Sequence, residues 1–347
     1  MTPRLAAALL SVAACLPAGA LNIELNAAPG MDANALAGFQ AAAAFWESRL
    51  TDSVDVYLDV GFSASDPGVL GQAGSSQVWM NVDDFFTVLA ADATSSYDAL
   101  AVGNLPPLSV LGGLSFLTQK DTESGSMVVS FDNDDSINNT RIILNTANAK
   151  ALNVYSSTDP DASITFSSLF SWDFDSSDGV GAGLHDFVGV AIHEIGHALG
   201  FTSGVDFIEV ARTGVEGQDP PFDAPFDLDG FEVFTSLDMF RYSANGVLDL
   251  SVGGTPYFSL DGGATNLALF STGDSPFGDG RQASHWKDLL GIGIMDPTAQ
   301  PPGQVNIPTT LDEVALDVIG WDVVPEPSSL AMAALGSLLL VGRRRRR

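Results

Sequence analysis

The segment from Asp186 to Gly200 places the strongest constraint on how this chain can fold. Its large apolar residues recur at helical spacing, which predicts a helix with one face packed against a core. This apolar stripe consists of Val188, Ala191, Ile192, Ile195 and Leu199. Asp186 can cap the start of the helix, and Gly200 can adopt the left-handed conformation that ends one. His193 and His197 fall on nearly the opposite side, so both can face a cleft while the stripe packs.

The same segment contains the sequence HEIGH, in which two histidines are separated by one helical turn. Two imidazoles at this spacing can bind one zinc ion. Glu194, beside the first histidine, can act as a general base for a water molecule that attacks a peptide carbonyl. The chain has only 4 histidines, which makes the pairing more specific than the short motif alone. These residues predict a zinc centre with Glu194 as its catalytic base.

A catalytic zinc site of this kind needs three protein ligands and an open position for water. Ser203 follows the HEIGH segment but is a poor zinc ligand. The nearby carboxylates are candidates for the third ligand: Asp206, Glu209 and Glu216. Glu216 is the weakest of these, because the sequence around it does not favour a helix. Of the other histidines, His185 is expected to face solvent rather than bind metal, which leaves His285.

Three features together resemble the metzincin clan of zinc peptidases. The helix has the form HExxHxxG with Gly200 as its glycine, His285 is followed by Trp286, and Met295 lies shortly after in GIMDP. Most metzincins carry the third histidine three residues after the glycine, and this chain departs from that pattern. It is similar instead to the leishmanolysin-like branch, in which an insertion separates the glycine from the third histidine.

The resemblance implies an α+β metzincin-like zinc peptidase domain over residues 21–324, with a mixed sheet, an active-site helix and a C-terminal helix. It implies zinc ligands at His193, His197 and His285, an insertion over residues 205–284, and Met295 as the hydrophobic floor of a methionine turn. On the residues alone, His285 could be an ordinary core or surface histidine. Met295 could likewise be ordinary core filler.

The function implied is that of a secreted zinc-dependent metalloendopeptidase, whose substrate is a protein or peptide. No tyrosine follows Met295, so zinc and backbone donors are the expected stabilisers of the oxyanion. The alternative is a non-catalytic extracellular matrix or surface adhesion component built on a zinc-binding fold. Intact Glu194 favours the enzyme, because a metal kept only for structure needs no base.

The first twenty residues have the pattern of a secretory signal peptide, with Arg4, an apolar run and a cleavage site after Ala20. Export through the Sec translocon and cleavage by signal peptidase are therefore expected. The single cysteine, Cys15, lies in this segment, so the mature chain would contain no disulfide, no cysteine zinc ligand and no cysteine switch for latency. A lipoprotein signal with acylation at Cys15 is the less favoured alternative.

Residues 325–347 combine Pro325-Glu326-Pro327, an apolar run and five arginines. The apolar run, Leu330 to Val341, would be roughly 18 Å long as a helix, which is short for a hydrocarbon core of about 30 Å. The arrangement resembles the PEP-CTERM sorting signal of Gram-negative bacteria. That resemblance implies transient anchoring in the inner membrane, cleavage by an exosortase, and delivery to the cell surface or extracellular matrix.

The formal net charge of −29 makes nucleic acids and anionic lipids poor partners. Acidic clusters near glycine can form a structural calcium site, although solvated acidic loops are the commoner explanation of such clusters in a chain of this charge. The first candidates for such a site are Asp173, Asp175 and Asp178.

Apolar periodicity predicts helices over residues 32–50 and 82–100, and strands at 54–62, 141–146 and 163–168. A terminal helix is expected before Gly320, with a capping box from Thr310 to Glu313.

Overall fold

The computed structural model describes residues 20–64, 68–121, 127–213, 228–275 and 277–325. Over these residues the protein has a mixed α and β architecture with several sheets, in agreement with the expected α+β class. The predicted signal peptide, the apolar run after the PEP motif and Glu216 lie outside the described residues. Within the described part, no helix is long and apolar enough to cross a membrane.

The helices of the described residues are short apart from two that pack on each other. In chain order they are α1 Ala33–Glu47, α2 Val82–Asp92, α3 Ser96–Val102, α4 Ile137–Thr140, α5 Thr146–Ala151, α6 Phe187–Leu199, α7 Val205–Thr213 and α8 Thr310–Asp317.

The strands are distributed along almost the whole described chain. They are β1 Asn22–Ala27, β2 Asp55–Ser63, β3 Gly71–Ser75, β4 Gln77–Asn81, β5 Phe116–Asp121, β6 Met127–Asp132, β7 Arg141–Asn145, β8 Ala162–Ser167, β9 Trp172–Asp173, β10 His185–Asp186, β11 Arg241–Ala244, β12 Val247–Asp249, β13 Tyr257–Phe258 and β14 Ala268–Leu269.

A four-stranded sheet in the order β1-β2-β8-β3 packs against α6. Strands β1, β2 and β8 run parallel, whereas β3 is an antiparallel edge strand. Alternate residues of β2 are buried, as expected of a strand with one face against the core. Two shorter ladders complete this part: β4 pairs antiparallel with β7, and β9 pairs parallel with β10.

A second sheet of six strands has the order β14-β13-β11-β12-β5-β6. It combines the β5–β6 hairpin with four strands from residues 205–284, and β12 joins β5 in parallel. The segment expected as an insertion is therefore joined by backbone hydrogen bonds to a hairpin that precedes α6 in the chain.

Helices α1 and α6 form the centre of the core. Phe39 of α1 contacts Phe187 of α6 edge to face, with ring centroids 5.1 Å apart. The indole of Trp46 donates a 3.0 Å hydrogen bond to the carbonyl of Ile192, so a fully buried tryptophan also has its polar atom paired. This packing holds α6 against the rest of the domain along its apolar side.

Two predicted elements were wrong in detail. The helix expected over residues 82–100 is broken into α2 and α3, because Ser95 forms a capping box with Asp98 and starts a new helix. The C-terminal capping box lies one residue earlier than predicted: Thr309, not Thr310, is the N-cap, and Asp312 is its partner. Helix α1, the strand over residues 55–63, and α6 with its Asp186 cap are confirmed.

Candidate metal centre

Both ends of α6 are fixed by hydrogen bonds from distant parts of the chain. At its start, the Asp186 carboxylate accepts from the backbone N–H groups of Gly189 and Asn306, at 3.0 and 2.9 Å. At its end, Gly200 has φ +125°, a conformation that a side chain would make costly. Asn145 donates to the carbonyl of His197 at 2.8 Å. The helix therefore presents its histidines from a rigid position.

Three histidine side chains meet beside this helix, and we call His193, His197 and His285 the three-histidine cluster. Their Nε2 atoms lie 3.0 Å apart for His193–His197, 3.1 Å for His197–His285 and 3.2 Å for His193–His285. A tetrahedral zinc ion with bonds of about 2.0–2.1 Å would hold its nitrogen ligands about 3.3 Å apart. The spacing of the three nitrogens therefore fits one zinc ion.

The other ring nitrogen of each histidine contacts a backbone carbonyl. Nδ1 of His193 lies 2.7 Å from the oxygen of Ile294, Nδ1 of His197 lies 2.7 Å from that of Phe201, and Nδ1 of His285 lies 3.2 Å from that of Gln282. A carbonyl can only accept, so each Nδ1 carries the proton and each Nε2 presents a lone pair. Three lone pairs cannot hydrogen bond to one another, and their convergence is of the kind that could hold a shared cation.

The electrostatic environment keeps this cluster neutral. Burial lowers the pKa of His193, and burial together with the neighbouring histidines lowers the pKa of His285 well below its ordinary value. Burial and the nearby His193 lower the pKa of His197 to about 3. All three imidazoles are therefore unprotonated at neutral pH, which is the form that binds metal.

Glu194 lies beside the cluster in a cleft of about 890 Å³. Other residues lining this cleft are Leu70, Phe170, His185, Val190 and Ile294. Burial raises the pKa of Glu194 to about 8, and no hydrogen bond from another described residue acts against that rise. A carboxyl group held in this way can exchange a proton near neutral pH.

The loop that carries His285 is attached directly to the end of α6. The backbone N–H of Ser203 donates to Ser284 Oγ at 2.8 Å, and Ser284 Oγ in turn donates to the carboxylate of Asp206. Asp206 also accepts from the backbone N–H groups of Ala283 and Ser284, at 2.6 and 3.1 Å. The two ends of the 205–284 segment are thus joined beside the third histidine.

Met295 lies beneath the cluster without offering a ligand. It is buried, and its sulfur lies 2.6 Å from the point that a β-carbon on Gly196 would occupy. Its backbone carbonyl accepts a 3.0 Å hydrogen bond from the N–H of Trp286. The methionine packs against α6 at Gly196, where the absence of a side chain leaves room for its sulfur.

The carboxylates considered as third ligands point elsewhere. Asp206 binds the 283–284 loop, and Glu209 accepts from the backbone N–H of Asp274 at 2.7 Å. Ser203 donates its hydroxyl to Asp238 at 2.6 Å. The structure therefore brings the predicted His193, Glu194, His197 and His285 together and leaves these alternatives outside the cluster.

His185 was wrongly expected to face solvent. Its ring is half-buried in the wall of the cleft, against Phe170 and Trp172 with centroids 5.5 and 5.9 Å away. It does not join the three-histidine cluster. No local pattern predicts this position, because its aromatic partners belong to another part of the chain: Trp172 is in β9, which pairs with β10, and Phe170 lies just before β9.

Among the described residues, a second group of converging ligand atoms consists of Asp132, Asp134 and Asp229. The preferred calcium candidates are not such a group: Asp173 uses its carboxylate to accept from the backbone N–H groups of Asp175 and Gly181. The structure does not group Asp173, Asp175 and Asp178 in this way, and calcium binding by these residues stays a prediction.

The PEP-CTERM protein-sorting motif family matches residues 323–347. The motif implies processing by an exosortase at this end and an extracellular or cell-surface destination in a Gram-negative bacterium. No curated protein and no solved structure matches the chain.

Proposed function

We propose that this protein is a secreted zinc-dependent metalloendopeptidase with a metzincin-like domain, in which His193, His197 and His285 hold zinc and Glu194 is the general base. The observation that carries the proposal is the convergence of three Nε2 atoms at 3.0–3.2 Å, each on an imidazole whose Nδ1 contacts a carbonyl. A bound zinc ion supplies a Lewis acid and a water molecule acidified to a pKa of about 7.

The residues of the chain supply the remaining parts of the reaction. Glu194 lies in the cleft next to His193, where it accepts a proton from the attacking water and returns it to the leaving amine. The cleft around it is lined by apolar residues such as Leu70, Phe170 and Val190 together with polar ones such as Arg281, Asp296 and Asn306.

A substrate is proposed to bind in extended form along the cleft. The edge strand β3 and the preceding residues 68–70 border it, and their outer backbone groups can pair with a peptide in the manner of an added strand. Such binding would place a peptide bond across the three-histidine cluster and beside Glu194.

The location of the activity follows from the sorting motif. We propose that the chain is held transiently in the inner membrane by its C-terminal segment before an exosortase releases it to the surface or matrix. A matrix component without activity would carry the same sorting motif, but it would not need a buried carboxyl group beside the cluster in an open cleft.

Hydrolysis of casein by the purified protein is the direct test. We expect cleavage that 1,10-phenanthroline abolishes and that added zinc restores. A protein that binds zinc but leaves casein and a peptide library intact would support the adhesion role instead.

A further inference from the structure

The carboxylate of Asp312, on α8, connects the two chain segments that complete the three-histidine cluster. Its Oδ1 accepts from the indole N–H of Trp286 at 2.9 Å and from the backbone N–H of Met295 at 3.2 Å. Its Oδ2 accepts from the backbone N–H groups of Ile294 and Thr309, at 2.9 and 2.7 Å. One carboxylate group thus binds Trp286, the turn at Ile294 and Met295, and the N-terminus of α8.

The contact with Met295 leads directly to His193. The N–H of Met295 and the C=O of Ile294 belong to the same peptide unit, and that carbonyl contacts Nδ1 of His193 at 2.7 Å. A negative charge at the N–H end polarises the peptide, so its oxygen becomes a stronger acceptor for the imidazole proton. A histidine whose Nδ1–H is more strongly held is a more basic metal ligand at Nε2.

The surroundings show that the turn is shaped around this carboxylate. Asp312 is fully buried, and its oxygens occupy the space that a β-carbon at residue 293 would need, so only glycine fits there. Burial raises the pKa of the Asp312 carboxyl, and the four N–H donors oppose that rise because each requires a lone pair. N-capping alone would not need donors from Trp286 and Met295.

We propose that Asp312 is a positioning residue of the metal centre, which strengthens His193 as a ligand through the Ile294–Met295 peptide and holds His285 in place through Trp286. The inference rests on the proposed zinc site but not on the peptidase activity. It predicts an effect on metal affinity that exceeds the effect of any other buried carboxylate on the same helix.

Asp317 supplies the matched control. It is also buried, it lies on α8, and it accepts from Ser95 Oγ at 2.5 Å rather than from the metal turn. The experiment compares Asp312→Asn with Asp317→Asn in the purified protein. It measures the zinc dissociation constant by chelator competition, the visible absorption spectrum with Co²⁺ in place of zinc, and the melting temperature without metal.

For Asp312→Asn we expect zinc affinity to fall by about 10-fold or more, the range found for partners of metal-binding histidines, and the Co²⁺ spectrum to change. For Asp317→Asn we expect both to match the wild-type protein. If both variants melt earlier but bind zinc like the wild-type protein, Asp312 is only a helix cap and the proposal is overturned.

A second variant covers the case in which Asp312→Asn does not fold. Trp286→Phe keeps an aromatic ring in a smaller side chain and removes the indole N–H that donates to Oδ1, and we expect it to weaken zinc binding by a smaller factor. Unchanged zinc affinity in that variant overturns the proposal. Absence of zinc binding by the wild-type protein overturns both this inference and the proposed function, whereas zinc binding without proteolysis overturns only the latter.

Discussion

The backbone N–H of Ser203 donates a 2.8 Å hydrogen bond to Oγ of Ser284, although 81 positions separate the two residues in the chain. Ser203 is the position at which a compact zinc motif would place its third histidine, and Ser284 immediately precedes His285. The long segment between them therefore leaves and returns at almost the same point. This closure allows a histidine that is remote in sequence to complete a site begun on α6.

Asp206 is predicted to maintain that closure. In Asp206→Asn, an amide N–H would face the N–H of Ala283 or Ser284, and the loop before His285 would loosen. We expect zinc affinity to fall by about 10-fold. Glu209→Gln, three residues along the same helix with a partner at Asp274, should bind zinc like the wild-type protein. Chelator competition measures both, and equal affinities for the two variants would contradict the role of Asp206.

Glu194→Gln separates catalysis from metal binding. The amide cannot take a proton from water, so kcat should fall by about 10²–10⁴-fold, while the three imidazoles still bind zinc. Peptide hydrolysis and zinc content should be measured on the same sample. Undiminished kcat in a zinc-loaded variant would exclude Glu194 as the base.

Gly196→Ala tests the packing of Met295 beneath the helix. Alanine normally favours a helix over glycine by roughly 1 kcal/mol, but here its β-carbon would meet the Met295 sulfur at 2.6 Å. We expect overpacking to cost about 1–3 kcal/mol, which after the helix gain leaves a net loss of up to about 2 kcal/mol in the free energy of unfolding. Urea unfolding of the metal-free protein measures the change.

The same substitution in a Met295→Ala background should cost less, because the sulfur is gone. A coupling energy of zero between the two changes would mean that the methionine does not restrict this helix face.

A group of buried and partly buried carboxylates should make the free energy of unfolding depend on pH. Burial, followed by neighbouring carboxylates, raises the pKa of Asp52, Asp92 and Asp317 to about 7. An aspartate in an unfolded chain has a pKa of about 3.9. Between that pH and about 7, the folded protein therefore binds more protons than the unfolded chain does. The stabilising contribution is complete below pH ~3.9 and is lost as the pH rises through about 7.

Asp92→Asn isolates this effect, because the amide does not titrate. The variant should be close to wild-type stability below pH ~3.9 and more stable than the wild-type protein at pH 8. The gain should be less than the roughly 1.4 kcal/mol per pH unit of a fully buried group, since Asp92 is partly exposed to solvent. Urea unfolding at the two pH values measures it, and a difference that does not change with pH would contradict the account.

Local patterns in the sequence were sufficient for the elements whose signals are short-range. The Asp186 cap, the apolar spacing of α6 and Gly200 predicted that helix and its two histidines. Spacing within the helix cannot reveal the third ligand, and His285 was reached through a resemblance that the structure makes geometrically reasonable. The hydrogen bonds that close the loop at Ser203 and Ser284 are non-local, so no periodicity signals them.

The wrong predictions for His185 and for the capping box of α8 likewise arise from contacts with other segments of the chain. His185 was expected in solvent because the aromatic residues that cover it, Phe170 and Trp172, lie just before and within β9 rather than beside it in the chain. The capping box of α8 was displaced by one residue because Thr309 and Thr310 are equivalent on sequence alone. The structure selects Thr309, whose partner Asp312 also binds the turn at Ile294 and Met295.

Zinc content per chain in the wild-type protein, His285→Ala and His185→Ala tests the central claim most directly. The account predicts one tightly bound zinc in the wild-type protein and in His185→Ala, and its loss or strong weakening in His285→Ala. Zinc bound as tightly by His285→Ala as by the wild-type protein would contradict the three-histidine centre and the peptidase proposal that rests on it.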